Sequence, residues 1–291
     1  MAQINIPVST QFDFEQTVLS HGWYMLAPYT LDRDTMTLQS IYQAQSGDVL
    51  QLSMRQIGTQ VQVNVADTDA LSTALHDDIA HAVKTMLNID WDLGAFYQAM
   101  RGFEGYDWLE KERKGRILIA PTIWEDLAKV LFTTNTTWAQ TIQMSQRLCQ
   151  LGTPHPTISD AFAFPTPHKI AELNFDTLAE HLRAGYRTAY LHELAVQIAS
   201  GQLEVESWRM LDSDTLYKQV KSLKGYGDYT AGTMVRMLGH FDKLATDSAC
   251  REMYATLHNN GVKGDDKAIK AQYEAFGQWK GLVMWMNIMR R

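Results

Sequence analysis

Two glycines and one carboxylate are the residues whose types and spacing best suit chemistry in this sequence. Gly225 and Gly227 flank a single residue in Leu223-Lys224-Gly225-Tyr226-Gly227-Asp228-Tyr229. An amphipathic helical pattern ends at Leu223 and a second starts at once, so the glycines must form a turn too tight for side chains. The first N–H groups of the second helix have no intrahelical acceptor and carry partial positive charge, which suits a phosphate. Such a hairpin grips a nucleic-acid backbone without reading its sequence. Taken alone, Gly-x-Gly reads as two helices joined by a plain turn, because helix C-termini commonly end in glycine. Asp247 lies 20 residues past Gly227 and opens the helical stretch Ser248 to Tyr254. A lone Thr-Asp-Ser there is an N-cap. The spacing adds a second role. One helix and one loop return the chain, so the carboxylate can sit beside the hairpin, and a phosphate held by the hairpin brings the next sugar near that acid.

The elements that must position these residues are mostly helices. Residues 1 to about 70 read as an α+β subdomain with an antiparallel sheet. Its expected strands are Trp23-Tyr24-Met25-Leu26, Thr37 to Tyr42, Val49 to Met54 and Val61 to Val65, short runs of β-branched or apolar residues, several of them alternating with polar ones. A helix within Phe12 to His21 leads into them. Residues 71–291 read as an all-helical body. Helical spacing is expected over Ala70 to Leu87, Leu93 to Arg101 and a long stretch from Ile123 to Leu148 interrupted near Thr133 to Thr137. More helices are expected at Pro167 to Ala171, Phe175 to Arg183, Thr188 to Ser200, Thr215 to Leu223, Tyr229 to Leu238, Ser248 to Asn259 and Asp266 to Met289.

Composition excludes several classes. Apolar residues make up 45% of the 291, enough for a packed core rather than a disordered chain. No apolar run has the roughly 20 residues of a membrane span, and the start of the chain lacks the basic and apolar regions of a secretory signal. Cys149 and Cys250 are the only cysteines, too few for an iron–sulfur cluster or a four-thiolate zinc site. A cytoplasmic monomer without cofactor is the expectation. The net charge of −7 argues against nucleic acid as a partner. Locally the balance reverses: Lys218, Lys221, Lys224, Arg236 and Lys243 face only Asp228 and Asp242 across the hairpin segment.

At these residues the sequence resembles the helix-hairpin-helix (HhH-GPD) base-excision DNA glycosylases. Leu-x-Gly-x-Gly, then Tyr229-Thr230-Ala231, a short helix and Asp247 follow their signature, with Lys224 where the family usually has proline. Leu131 to Ala139 resembles the segment that enters the minor groove. Phe164-Pro165-Thr166-Pro167 and Gly185-Tyr186-Arg187 resemble two further family segments. The sheet ahead of a helical body is similar to 3-methyladenine DNA glycosylase II and 8-oxoguanine DNA glycosylase. The resemblance implies an enzyme acting on double-stranded DNA with a damaged base. Asp247 would be its catalytic acid. Lys224, Gly225, Tyr226 and Gly227 would hold DNA backbone, with a monovalent cation at the hairpin. Asn135 would fill the gap left by the flipped base, and Arg187 would contact the orphaned partner. A second arginine expected soon after the asparagine is replaced by Gln140.

The bifunctional members carry a nucleophilic lysine two residues past the second glycine. Here that position is Tyr229, which cannot form a Schiff base, so a monofunctional enzyme is expected, with water attacking and Asp247 stabilising the positive charge on the sugar. Tyr229, Trp279 and Trp285 are the candidate walls of the base pocket, and aromatic walls with one carboxylate point to a cationic alkylated purine of the 3-methyladenine type. Asn135 and Arg187 point instead to 8-oxoguanine. A non-catalytic helix-hairpin-helix DNA-binding module is the alternative in which Asp247 is only a cap.

Overall fold

The computed structural model describes residues 1–66 and 68–290. An N-terminal five-stranded antiparallel sheet precedes a body of helices. The strands are β1 (Ala2–Pro7), β2 (Tyr29–Asp32), β3 (Thr37–Gln43), β4 (Val49–Ile57) and β5 (Gln60–Val65), in the spatial order β1-β5-β4-β3-β2. The helices are α1 (Phe14–Val18), α2 (Thr73–Met86), α3 (Gly94–Met100), α4 (Trp108–Lys111), α5 (Ile123–Phe132), α6 (Trp138–Cys149), α7 (Pro167–Ala171), α8 (Phe175–Leu182), α9 (Tyr186–Ala199), α10 (Ser213–Ser222), α11 (Asp228–Met237), α12 (Ser248–His258), α13 (Asp266–Tyr273) and α14 (Lys280–Met289).

The chain divides into two compact units. One comprises Met1–Asp90 with Ile117–Glu206; the other comprises Trp91–Arg116 with Ser207–Arg291. In the first, alternation decides which face of the sheet is buried. Ala2, Ile4 and Ile6 of β1 and Val61, Val63 and Val65 of β5 point to the core, while their neighbours in sequence do not. The register pairs Ile4 with Val63 and Met54 with Val63 across β5, so apolar side chains stack on one face. Helix α2 packs against β1, starting at an N-cap by Ser72, whose hydroxyl accepts from Leu75 N–H at 3.2 Å.

Three departures from the sequence reading have physical causes. Residues Gly22–Met25 form a 3-10 turn rather than a strand. Trp23 is buried and donates its indole N–H to Asp126 at 2.8 Å, a tertiary bond that overrides its local strand propensity. Two strands were not expected: β1, whose run Ala2-Gln3-Ile4-Asn5-Ile6 alternates strictly, and the short β2. Finally, the expected helix from Asp266 to Met289 is broken, because Gly277 adopts φ 55° and ψ −126°, outside the helical region. The interruption expected near Thr133 to Thr137 is present. There, Thr133 and Thr134 donate their hydroxyls to Val130 and Leu131 carbonyls at 2.7 and 2.8 Å, and α6 restarts with a capping box between Thr137 and Gln140. The place of the arginine expected from the resemblance is thus held by a capping glutamine.

Candidate active site and nucleic-acid interface

The hairpin joins α10 to α11. Helix α10 stops at Leu223, whose ψ of 142° leaves the helical region, and Gly225 turns the chain with φ 86°, a conformation that favours glycine. Gly227 is different. Its φ of −97° suits any residue, and a Cβ built on it would meet nothing within 4 Å. The protein's own packing and backbone therefore do not require glycine there, and the space in front of the α11 N-terminus is open. Gly227 is the N-cap without a side-chain cap. Tyr226 turns inward and is buried, whereas Lys224, Gly225 and Gly227 are exposed. Asp228, the first residue of α11, puts an acid beside this surface, but its carboxylate accepts from Lys221 Nζ and Tyr217 Oη, each at 2.6 Å, which hold its pKa below the usual carboxylate range.

Two close approaches bring Asp247 to α11. Gly232 lies on α11 where a Cβ would stand 3.0 Å from the Leu244 carbonyl oxygen and 3.1 Å from the Ala245 Cβ. Gly281, at the start of α14, donates its N–H to the Phe241 carbonyl at 2.7 Å, and a Cβ there would run into the Lys243 carbonyl. The segment from Phe241 to Ala245 is thus pressed between two helices by their glycines. Asp247 follows as the N-cap of α12, its Oδ1 accepting from Cys250 N–H at 2.8 Å. Capping occupies one carboxylate oxygen, and the side chain is half-buried, so an acceptor remains for other work.

The residues of α11 that share a face are Tyr229, Thr233 and Arg236, spaced i, i+4 and i+7. Tyr229 is half-buried; Thr233 and Arg236 are 7% and 3% exposed. Neither the Thr233 hydroxyl nor Arg236 Nη1 has a hydrogen-bond partner among the described residues. A buried polar group left unpaired costs about 1–3 kcal/mol, more when charged. Two such groups on one face are therefore a cost that the fold retains. The Arg236 guanidinium sits 4.3 Å from the centroid of the Trp285 ring. Burial lowers its pKa from the ordinary arginine value, and the neighbouring Tyr229, Cys250 and Asp247 act against that shift.

Trp285 thus joins Tyr229 and Asp247 around Arg236. Trp279 belongs to a different group. Its ring stacks on Phe241 at 5.7 Å and tilts against Phe96 at 5.3 Å, next to an edge contact of Phe241 with Trp91. Its partners are the aromatic side chains that support the Phe241 to Ala245 segment.

Asn135 and Arg187 lie in the other unit. Asn135 takes a positive φ of 45° between α5 and α6, is exposed, and donates Nδ2 to Tyr186 Oη at 3.3 Å. Arg187 is buried, and its fork is directed at backbone carbonyls. Nε donates to Thr134 O at 3.1 Å, Nη2 to Asn135 O at 3.0 Å and also to Thr134 O, and Nη1 to Ala184 O at 3.3 Å. Its guanidinium also lies 4.6 Å from the Tyr186 ring centroid. In this arrangement Arg187 fixes the loop that presents Asn135, and Tyr186 joins the two.

Thr233 escaped the sequence reading, Arg236 entered it only as one of the basic residues around the hairpin, and Tyr186 only as part of the Gly185-Tyr186-Arg187 segment. The signal for Arg236 was available: a lone basic residue in the otherwise apolar run Met234-Val235-Arg236-Met237 of a buried helix.

No protein-family model matches the sequence, and no curated protein does either. Solved structures match along nearly its whole length. MBOgg1, solved in complex with a low-affinity DNA ligand, superposes with a TM-score of 0.77 at 16% identity, covering 99% of this chain and 95% of its own. The Clostridium acetobutylicum 8-oxoguanine glycosylase/lyase in its apo form gives 0.76 at 14%, over 99% and 96%. The 3-methyladenine DNA-glycosylase from Archaeoglobus fulgidus gives 0.75 at 16%, over 99% and 97%. The chain has the fold of the helix-hairpin-helix DNA glycosylases. No helix among the described residues is long and apolar enough to cross a membrane.

Proposed function

We propose that this chain is a monofunctional DNA glycosylase that hydrolyses the N-glycosidic bond of a damaged purine flipped out of double-stranded DNA. The observation that carries the reading is the half-buried Asp247 carboxylate, set beside the helix whose N-terminus is the glycine hairpin, with Tyr229 at the position where a lysine nucleophile would stand. The hairpin holds a phosphate through backbone N–H groups. A monovalent cation there would be held by backbone carbonyl oxygens; the Leu223 carbonyl accepts from Tyr226 N–H and keeps a second lone pair, whereas the Gly227 carbonyl already accepts from both Ala231 N–H and the Thr230 hydroxyl. Such donors fit a weakly bound ion.

In the reaction, the oxygen of a water bonds to C1′ of the sugar as the C1′–N bond breaks. The bonding pair leaves on the base, and the proton of the water passes to Asp247. The ionised carboxylate stabilises the cationic sugar on the way. Arg187 fixes the loop that carries Asn135.

Two lesion classes fit a hydrolytic enzyme of this kind. The missing lysine favours an alkylated purine, whose bond is already weak. Buried Arg236 favours a neutral base such as 8-oxoguanine, since one face of Trp285 is already taken up by an internal cation. Excision is tested on duplexes carrying single defined lesions. Wild-type protein should release a base, and Asp247→Asn should lower the single-turnover rate by at least about a hundredfold while leaving folding and lesion binding intact. An Asn variant that excises at the wild-type rate makes Asp247 a cap alone.

A further inference from the structure

Arg236 is a buried cation whose Nη1 has no hydrogen-bond partner among the described residues, and it shares its helix face with a second orphan, the Thr233 hydroxyl. Trp285 accounts for the face of the guanidinium but accepts nothing from its edge. Arginine stays charged at neutral pH and donates in a fixed planar fork. The groups around it are Tyr229, Cys250 and Asp247. On the glycosylase reading, a base flipped from a sugar beside Asp247 is brought to the face of α11 that carries Tyr229, Thr233 and Arg236.

We propose that Arg236 is a specificity-determining residue: its guanidinium donates a hydrogen bond to a carbonyl oxygen of the flipped base and selects neutral, carbonyl-bearing purines over cationic alkylated ones. The inference rests on the glycosylase reading and adds a discriminating residue to it. The physical case has two sides. A neutral base departs with the bonding pair and becomes anionic, so a buried cation on its acceptor edge stabilises the leaving group. This supplies what a chain without a lysine nucleophile otherwise lacks for a strong glycosidic bond. A base that is already cationic meets like charge in a poorly screened site.

The test compares matched lesions in one duplex sequence: 8-oxoguanine against 7-methylguanine, which share a carbonyl and differ in charge, and hypoxanthine against 3-methyladenine. Single-turnover excision is measured for wild type, Arg236→Leu and Arg236→Lys. Wild type should remove the neutral member of each pair faster. Arg236→Leu should slow the neutral pair by roughly ten- to a hundredfold, the worth of a hydrogen bond to a charged group, and leave the cationic pair unchanged or faster. Arg236→Lys, which keeps the charge and loses the fork, should fall between them. The ratio of rates within one variant does not depend on how much of it is folded, so a merely structural role leaves the ratio fixed. Faster removal of the cationic members by wild type, or an equal loss on all four lesions in Arg236→Leu, overturns the proposal while leaving the glycosylase reading intact. Folded wild-type protein that excises none of the four removes the reading and the proposal with it.

Discussion

Ala245 lies against Gly232 so closely that a Cβ on the glycine would stand 3.1 Å from its own. Asp247 owes its place to this contact and to the one across the same segment, where Gly281 admits the Lys243 carbonyl. The carboxylate is thus located by the absence of two side chains, one on α11 and one on α14. Gly281→Ala should push the Phe241 to Ala245 segment away, because the clash is with backbone and cannot be relieved by a rotamer change. The expected cost is about 1–3 kcal/mol in stability, with a fall in excision larger than the fall in lesion binding. Thermal unfolding and single-turnover rates on the same preparation check both parts. Unchanged excision in the Ala variant would mean that the segment does not set the carboxylate.

Much of this arrangement was legible in the sequence. The hairpin and the helix opened by Asp247 follow from local chemistry, since Gly225 needs its positive φ and Asp247 caps α12. The strands β3, β4 and β5 follow from alternation. What the sequence did not disclose depends on tertiary partners. Trp23 forms a 3-10 turn because Asp126, remote in sequence, accepts its N–H. Arg187 offers a fork that suits a base edge, yet the carbonyls of Thr134 and Asn135 take it up. Arg236 was visible only as part of a basic patch, and only burial distinguishes it from the lysines counted with it.

The structure separates two reasons for a glycine at position 227. Its backbone is unstrained and a Cβ would meet nothing in the protein. Gly227→Ala should therefore fold with a stability within about 0.5 kcal/mol of wild type. If a DNA phosphate approaches the helix end there, the methyl group should weaken binding to every duplex alike, by about tenfold or more, since hydrogen bonds to charged groups are worth about 1.5–3 kcal/mol. Titrations of damaged and undamaged duplexes at one salt concentration check this. A loss confined to one lesion would assign Gly227 to the base pocket instead.

Tyr229 predicts the chemistry of the product. A phenol cannot condense with the opened sugar, so turnover in the presence of borohydride should trap no covalent protein–DNA adduct, and the product strand should stay intact with an abasic site. A trapped adduct would show that a lysine serves as nucleophile. Lys224, exposed in the hairpin, is the nearest in sequence and the first to mutate.

Helix α5 carries a buried charged group that sets a pH dependence of stability. Asp126 is fully buried; its Oδ1 accepts from Trp23 Nε1 at 2.8 Å and Ala120 N–H at 3.0 Å, while Oδ2 has no partner among the described residues. Burial pushes its pKa up to about 7 against those two hydrogen bonds. Glu125 is shifted upward as well, by burial, although Lys129 beside it at 2.5 Å opposes the shift. The folded pKa of Asp126 lies above its unfolded value of about 3.9. Between pH 4 and pH 7, roughly, the folded chain therefore holds a proton that the unfolded chain has released. Stability should fall by up to about 1.4 kcal/mol for each pH step of one through that window, and level off above it. Asp126→Asn keeps an acceptor for Trp23 and Ala120 and has no charge to bury. It should be more stable than wild type at pH 8 by an amount of order a few kcal/mol, nearly equal to it at pH 4, and should show a flatter profile in which only the Glu125 contribution remains. Urea midpoints at pH 4, 6 and 8 for both proteins decide it. An Asn variant that loses stability equally at all three would mean that Asp126 is ionised in the folded chain at every pH tested, with its hydrogen bonds outweighing burial.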